Sequence, residues 1–296
     1  MIDKSKHYNM EAIALENDKI ILKALPQLGF KICSIVDKKS NFEFLFQPTK
    51  KEYKLPEYGA DFSAYDTSGI DDATPSIDPC DYMNSGNILK DHGDVWSLAW
   101  DVKKVEDEKY RDGAIEGKVK LPSLPLLLTR KISLDGNEII LDYKMENLSD
   151  EDVFYTWTFH GLNYYNEDTE LEFPKNLENY INVQNDEIWE SHTKLSSFKD
   201  AWTFKYYFTD PIKEGWASIK YHKEGLKYTI SFDPNKIPYL GVWLTTGGFK
   251  GEKNVAIEPS NGFYDTLERA RKNKKIPCLK AKEVDSWTVK LKIEEI

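Results

Sequence analysis

Residues 126–147 read LLLTRKISLDGNEIILDYKMEN, and this stretch decides the fold class. In its second half, every second residue from Ile139 to Met145 is apolar, and the residues between them are largely charged. That period of two is typical of a strand with one buried face. Asp135-Gly136-Asn137 is a turn signal between this run and the apolar run before it. The stretch therefore predicts an antiparallel β-hairpin.

Similar alternation recurs along most of the chain, whereas helical patterns are scarce. A single short helix is predicted at Asp265–Arg271. Many strands joined by short turns, with few helices, predict an all-β protein built as a large antiparallel β-sandwich. We expect residues 1–296 to form a single domain. The further predicted strands cover residues 12–15, 19–25, 30–36, 42–46, 153–160, 227–233, 240–244 and 286–293.

The composition excludes several classes of partner. The chain has 296 residues, a formal net charge of −10 and only four arginines. Nucleic acids and anionic membranes require a concentrated basic surface, so neither is expected as a partner. Three widely spaced cysteines form no disulfide framework, and no apolar segment is long enough for a signal peptide or a membrane span. We expect a soluble cytoplasmic protein, and the sequence leaves its oligomeric state open.

Three polar residues are candidates for chemistry. Glu258 follows an apolar run and precedes Pro259, which favours an extended backbone at Glu258. Alternation places Glu258 on the opposite side of its strand from Ile257, and it places His160 opposite Phe159. His92 lies in the segment DHGDVW, residues 91–96. A carboxylate and two imidazoles could supply an acid and a base.

Less specific interpretations of the same residues remain open. A strand-end glutamate is usually solvated, a histidine beside threonines is often structural, and His92 could cap a turn. The tryptophans, Trp96 among them, are typical of a core. Asp71, Asp72 and His92 could in principle hold a divalent ion, but their spacing specifies no geometry, and no metal is expected. The long segment 50–90 reads as a loop, and such loops are often functional.

Five segments, in order, resemble the galactose mutarotase-like (aldose 1-epimerase) superfamily. The similarity spans nearly the whole chain. The five segments are ALPQLGFKI (24–32), SGIDDATPSI (68–77), DHGDVW (91–96), DYKMENLSD (142–150) leading to His160, and YLGVW (239–243) followed by NVAIEP (254–259).

The resemblance implies a β-supersandwich fold and a sugar-isomerising activity without a cofactor. In the family, the residue that matches Glu258 removes the proton of the anomeric hydroxyl, and the one that matches His160 protonates the ring oxygen. The residue that matches His92 helps to bind the sugar, and Asp71, Asp72 and Trp96 are expected to contact it as well. The resemblance also implies a sugar as the small-molecule partner.

The sequence also departs from the family pattern. Many members place an arginine near the glycine-proline loop, where this chain has Asp71 and Asp72, and His160 is followed by Gly-Leu rather than Pro. These differences leave the identity of the sugar open and disfavour a hexose 6-phosphate. They also leave a second hypothesis, a non-catalytic carbohydrate-binding protein on the same scaffold. A third, a sandwich domain of a polysaccharide-active enzyme, lacks the second catalytic domain that it would need.

Overall fold

The protein is all-β, as the alternation predicts. The structure, a computed structural model, describes residues 1–65, 67–107, 109–110, 112–175, 177, 179–183 and 201–296, and the backbone of 188–190. The strands, numbered in chain order, are β1 (Ile2–His7), β2 (Met10–Glu16), β3 (Ile20–Leu25), β4 (Lys31–Asp37), β5 (Phe42–Glu43), β6 (Gly69–Ala73), β7 (Cys80–Asp81), β8 (Ile88–Leu89), β9 (Asp101–Lys104), β10 (Ala114–Lys120), β11 (Leu126–Asp135), β12 (Glu138–Asn147), β13 (Val153–Phe154), β14 (Thr158–Asn163), β15 (Thr169–Glu172), β16 (Asn179–Asn182), β17 (Ile188–Glu190), β18 (Thr203–Phe208), β19 (Trp216–Tyr221), β20 (Leu226–Phe232), β21 (Tyr239–Thr246), β22 (Lys253–Ser260), β23 (Cys278–Leu279) and β24 (Val284–Glu295).

Two large antiparallel sheets contain most of these strands. The first has twelve strands in the order β1-β2-β3-β4-β6-β14-β22-β21-β18-β16-β17, with β5 paired to β4. The second has eight strands in the order β15-β19-β20-β24-β12-β11-β10-β9. One hydrophobic cluster joins the two sheets, since Ile32 and Val255 of the first pack in the same core as Leu128 and Leu291 of the second. Both sheets thus bury one face against the other, which is a β-sandwich.

The hairpin predicted at residues 126–147 is confirmed. β11 and β12 pair from Leu126↔Asn147 to Asp135↔Glu138, with Gly136 at the turn. The apolar side chains from Ile139 to Met145 are buried, and their neighbours on the opposite face are largely half-buried or exposed. Full burial of an aliphatic side chain contributes roughly 1.5–3 kcal/mol, so this pattern fixes which face of the hairpin points inward.

Three local predictions differ from the structure. The strand expected at 42–46 covers only Phe42–Glu43, and the one expected at 153–160 is split into β13 and β14. The segment 50–90 is more ordered than a loop, because Gly69–Ala73 forms β6 between β4 and β14. β6 is buried on both faces, so it lacks the alternation by which a half-buried strand is recognised.

Helices are short in the described residues. The predicted helix near residue 265 is observed as α1 (Leu267–Lys272), which begins after Thr266 because the Thr266 hydroxyl accepts a hydrogen bond from the Arg269 N–H. Three single-turn 3-10 helices cover Phe62–Ala64, Tyr82–Asn84 and Val95–Ser97. None of the described helices has the length and apolar character that a transmembrane span requires.

Candidate active site

The candidate site is built on neighbouring strands in the middle of the twelve-stranded sheet. Thr158 of β14 pairs with Ser260 of the antiparallel strand β22. Two residues further along β14 and two residues back along β22, His160 therefore lies opposite Glu258. Directly opposed residues of antiparallel strands have Cβ atoms about 4.5–5.5 Å apart and project on the same face. Pro259 has no N–H to donate to the ladder beside this pair.

His160 and Glu258 lie in close contact in the interior. The distance from His160 Nε2 to Glu258 Oε1 is 3.7 Å, and the two side chains are 7% and 0% exposed. No hydrogen bond within the described residues reaches His160 Nδ1 or Glu258 Oε1. A buried polar group without a partner costs about 1–3 kcal/mol. Such a cost is usually explained by a function or by a bound molecule that completes the hydrogen bonds.

Lys205 is a third member of the site. Its Nζ lies 3.3 Å from Glu258 Oε2 and 3.0 Å from Asp265 Oδ1. The Tyr207 hydroxyl donates a second hydrogen bond to Asp265 Oδ1, at 2.9 Å. Glu258 thus has an imidazole on one side and an ammonium group on the other.

His92 faces His160 across the site. The ring centroids of the two histidines are 5.1 Å apart, and the His92 ring stacks on Phe62 at 3.9 Å. His92 Nδ1 lies 2.8 Å from Asp91 Oδ1. Burial alone would raise the pKa of Asp91, but the hydrogen bond and the charge of His92 hold that pKa below its ordinary value. Because an ionised carboxylate can only accept, Nδ1 carries the proton, and Nε2 is left for a ligand.

A tight backbone contact positions His92. Gly93 has φ +74°, and a Cβ on it would lie 2.0 Å from the Thr74 carbonyl oxygen. The segment after His92 therefore approaches the end of β6 more closely than any side chain allows. Asp94 N–H donates to the same Thr74 oxygen, which fixes the two segments together.

A cavity of about 410 Å³ opens above these side chains. This volume is within the range of about 300–1,000 Å³ that is typical of small-molecule sites. Its lining combines aromatic rings with carboxylates, and it includes both histidines and Lys205. The described lining residues are Asp61, Phe62, Ser63, Thr67, Ile77, Asp78, Asp91, His92, His160, Leu162, Val183, Lys205, Trp243, Phe249, Glu252, Asn254 and Asp265.

Burial shifts the pKa values of the central pair in opposite directions. Desolvation raises the pKa of Glu258, and the charge of Lys205 partly offsets this. Desolvation lowers the pKa of His160 well below its ordinary value, and the charges of His92, Lys205 and Lys31 lower it further. Both shifts favour the neutral form of the residue, protonated for Glu258 and deprotonated for His160.

Asp71 and Asp72 lie beside the cavity and not in its lining. Asp71 pairs with His160 across the sheet, but its carboxylate is 2.6 Å from Lys31 Nζ. Asp72 accepts hydrogen bonds from Arg130 at 2.7 Å and from Trp157 at 3.0 Å, and both partners of this ion pair are completely buried. Both carboxylates have cationic partners in the interior, and their contact with a sugar stays a prediction.

Trp96, also expected to contact the sugar, is buried beneath the site. Its Nε1–H donates to the Asp91 carbonyl oxygen at 2.9 Å, and its ring packs against Phe62. It therefore supports the loop that carries Asp91 and His92. In the described part of the chain, no three His, Cys, Asp or Glu side chains are grouped as metal ligands.

Sequence reasoning missed several residues of the site. Lys205 and Asp265 have no motif, and they are brought to Glu258 only by the pairing of β18, β21 and β22 and by the turn before α1. One signal was available for Lys205. In the run TFKYYF the lysine falls between two aromatic residues on the opposite face, which marks a charged side chain within an apolar strand.

Comparison with solved structures supports the fold expectation. Similar structures include a protein from Synechocystis sp. PCC 6803 (TM-score 0.78, 16% identity, covering 100% of both chains) and a galactose mutarotase-like protein from Clostridium acetobutylicum (TM-score 0.76, 15% identity, covering 100% of this chain and 99% of that one). A galactose mutarotase related enzyme from Lactobacillus acidophilus gives a TM-score of 0.70 at 15% identity, covering 96% and 97%. No model of a protein family and no curated protein matches the sequence. The chain therefore has the galactose mutarotase-like fold.

Proposed function

We propose that the protein is a mutarotase of the aldose 1-epimerase type, which interconverts the α and β anomers of a free sugar. The observation that carries the proposal is the buried pair of His160 and Glu258. No hydrogen bond within the described residues reaches His160 Nδ1 or Glu258 Oε1, and His160 lines a cavity of about 410 Å³. Opening a cyclic hemiacetal requires a base at the anomeric hydroxyl and an acid at the ring oxygen. Both oxygens are attached to the same carbon, so the base and the acid must be close neighbours.

In the proposed mechanism, Glu258 takes the proton of the anomeric hydroxyl. The electron pair of that O–H bond forms the carbonyl as the bond between C1 and the ring oxygen breaks. His160 gives its proton to the ring oxygen. Rotation about the C1–C2 bond then presents the other face of the carbonyl, and the same two proton transfers, run backwards, close the ring.

This mechanism fits the electrostatics of the pair. One proton leaves His160 and one arrives on Glu258 during ring opening, so the cost of the step depends on the difference between their proton affinities. Burial lowers the pKa of His160 and raises the pKa of Glu258, so His160 gives up its proton and Glu258 accepts one more readily than the same groups would in water.

His92 and two aromatic side chains that line the cavity, Trp243 and Phe249, are proposed to bind the sugar. Nδ1 of His92 is bound to Asp91, and no hydrogen bond from the described part of the chain occupies Nε2, which we propose contacts a sugar oxygen. Trp243 and Phe249 line the cavity as an edge-to-face pair with centroids 5.5 Å apart. The C–H faces of a sugar ring pack well against such aromatic surfaces.

The charge of the lining favours a sugar without a phosphate group. Among the described lining residues, five carboxylates face one lysine, and that lysine is already paired with Asp265 and Glu258. A phosphorylated sugar would bring about two more negative charges into this site. A free sugar, whose hydroxyls can donate to the carboxylates, suits it better.

The test is to follow the relaxation of freshly dissolved α-anomers of free hexoses and pentoses by polarimetry. At least one sugar is expected to relax faster with the protein, and Glu258→Gln and His160→Asn should each abolish most of the acceleration. Glu43→Gln is the control, because Glu43 is a half-buried glutamate that bonds to Ser34, Ile35 and Leu45 outside the cavity. Saturable sugar binding without acceleration would instead show a carbohydrate-binding protein.

A further inference from the structure

Lys205 reaches Glu258 diagonally across the sheet. On β18, Phe204 and Tyr206 point into the core, and Lys205 and Tyr207 project on the other face. Lys205 pairs with Trp243, whereas Tyr207 pairs with Gly241, which in turn pairs with Glu258. The lysine is therefore two residues out of register with the carboxylate that it contacts.

Gly241 leaves the space that this contact needs. A Cβ at position 241 would lie 2.9 Å from Tyr207 Cε1 and 3.3 Å from Glu258 Oε2. Any larger residue would therefore stand between Glu258 and the strand that carries Lys205. With glycine there, the Lys205 ammonium group comes within 3.3 Å of Glu258 Oε2.

Asp265 holds the other side of the Lys205 ammonium group. The carboxylate of Asp265 is oriented by the Tyr207 hydroxyl, and its backbone oxygen accepts hydrogen bonds at 2.9 Å from the N–H groups of Ile77 and Asp78. The Lys205 ammonium group thus lies between the carboxylates of Asp265 and Glu258, which belong to different parts of the chain. Such a double anchor removes the freedom that a lysine side chain usually keeps.

The charged and titratable groups around Glu258 define the role of Lys205. His160 and Lys205 contact its carboxylate, Asp265 and Tyr207 lie behind Lys205, and His92 lies across the cavity. Burial alone would lower the pKa of Lys205, but Asp265 and Glu258 raise it above its ordinary value. Lys205 therefore remains a cation at neutral pH and does not exchange protons during the reaction.

We propose that Lys205 is a positioning residue, which anchors Oε2 of Glu258 and supplies its counter-charge, so that Oε1 is the oxygen that faces the substrate. This inference rests on the proposed function, in which Glu258 is the base. Oε1 is the oxygen on the His160 side, 3.7 Å from Nε2, which is where a base and an acid must meet the two oxygens of one anomeric carbon. The geometry thereby separates the roles of the two carboxylate oxygens.

The first test compares the pH profiles of kcat/KM for wild type, Lys205→Met and Lys205→Arg on the sugar that is accelerated most. Removing a cation within 4 Å of a carboxylate raises the pKa of that carboxylate by about one unit or more. In Lys205→Met, the fall of activity on the acid side is therefore expected to move up by about one pH unit or more. Lys205→Arg keeps the charge and should return the profile toward that of wild type.

Asp265→Asn is a second variant, and it is expected to shift the pH profile in the opposite direction from Lys205→Met. Asp265 lies on the far side of Lys205, and its negative charge raises the pKa of Glu258. Asp265→Asn should therefore move the acid-side fall of kcat/KM to lower pH. A purely structural role for these residues predicts a loss of folded protein in both variants and no opposite shifts.

A titration of Glu258 separates failure of this inference from failure of the proposed function. The carboxyl carbon of Glu258, assigned by comparison with Glu258→Gln, can be followed by ¹³C NMR in each variant without any sugar. The midpoint is expected to rise in Lys205→Met and to fall in Asp265→Asn, even if no sugar is accelerated. An unchanged midpoint in folded Lys205→Met, or a rise in Asp265→Asn, would overturn the inference and leave the mutarotase proposal standing.

Discussion

Gly241→Ala tests whether the site depends on the space between Tyr207 and Glu258. The added methyl group would lie 2.9 and 3.0 Å from Cε1 and Cζ of Tyr207, and 3.3 Å from Glu258 Oε2. Carbon atoms pack best at about 3.5–4.0 Å, so the ring or the strand must move by roughly 0.5 Å or more. The position of Glu258 relative to Lys205 and His160 must change with it.

Gly241→Ala is expected to change both the folding stability and the catalytic rate. Overpacking a buried site costs about 1–3 kcal/mol of folding stability. A displacement of about 1 Å in a reacting group can reduce the rate about 10²-fold. Gly241→Ala is therefore expected to remain folded, with a lower free energy of unfolding and with kcat/KM reduced by about 10²-fold.

The assay combines urea unfolding with sugar mutarotation, and Gly117→Ala is the matched control. A Cβ at Gly117 would lie 2.5 Å from Phe30 Cδ1 and 3.1 Å from Trp100 Cε3, so it overpacks an aromatic cluster on the eight-stranded sheet. This control should lose stability and keep its kcat/KM per folded molecule. If Gly241→Ala instead retained wild-type kcat/KM, the packing that we assign to Glu258 would be wrong.

Three further predictions concern single side chains. Asp72→Asn leaves Arg130 buried without its counter-charge, so the free energy of unfolding in urea should fall by about 3–5 kcal/mol. Its kcat/KM per folded molecule should stay unchanged, and a large loss of activity would indicate that Asp72 contacts the sugar. Asp91→Asn removes the carboxylate that fixes the proton on Nδ1 of His92 and should reduce kcat/KM by about ten-fold or more, and activity equal to wild type would contradict that role. Burial raises the pKa of Glu258 in the folded protein above its value in the unfolded chain. The stability that Glu258 contributes is therefore present at low pH, where it is protonated, and is lost as the pH rises through the folded-state pKa. Glu258→Gln should consequently be more stable than wild type at pH 8, with the difference vanishing at low pH in thermal unfolding, and a variant less stable at pH 8 would contradict the sign.

The fold could be predicted from local patterns because burial acts on alternate residues of a strand. The same alternation placed Glu258 and His160 on the faces where the structure has them, since Ile257 and Phe159 pack in the core. It could not show that the two residues are opposite each other. That depends on the register between β14 and β22, whose partners are about a hundred residues apart in sequence.

Long-range ion pairs explain the remaining differences. Asp71 and Asp72 look like polar loop residues, but their cations, Lys31 and Arg130, lie 40 and 58 residues away and meet them only in the folded core. Lys205 could not be predicted as a site residue either, because a lysine in a strand normally indicates an exposed face. Its role becomes visible only when Gly241 and Asp265 are placed around it.

The most direct test of the central claim is the rate of anomer exchange for a panel of free sugars, measured by saturation-transfer ¹H NMR at equilibrium with wild type and Glu258→Gln. We predict that wild type increases the exchange rate of at least one sugar, and that Glu258→Gln reduces kcat/KM by about 10²–10⁴-fold while remaining folded. Exchange that is equally fast with both proteins would contradict the assignment of Glu258 as the base.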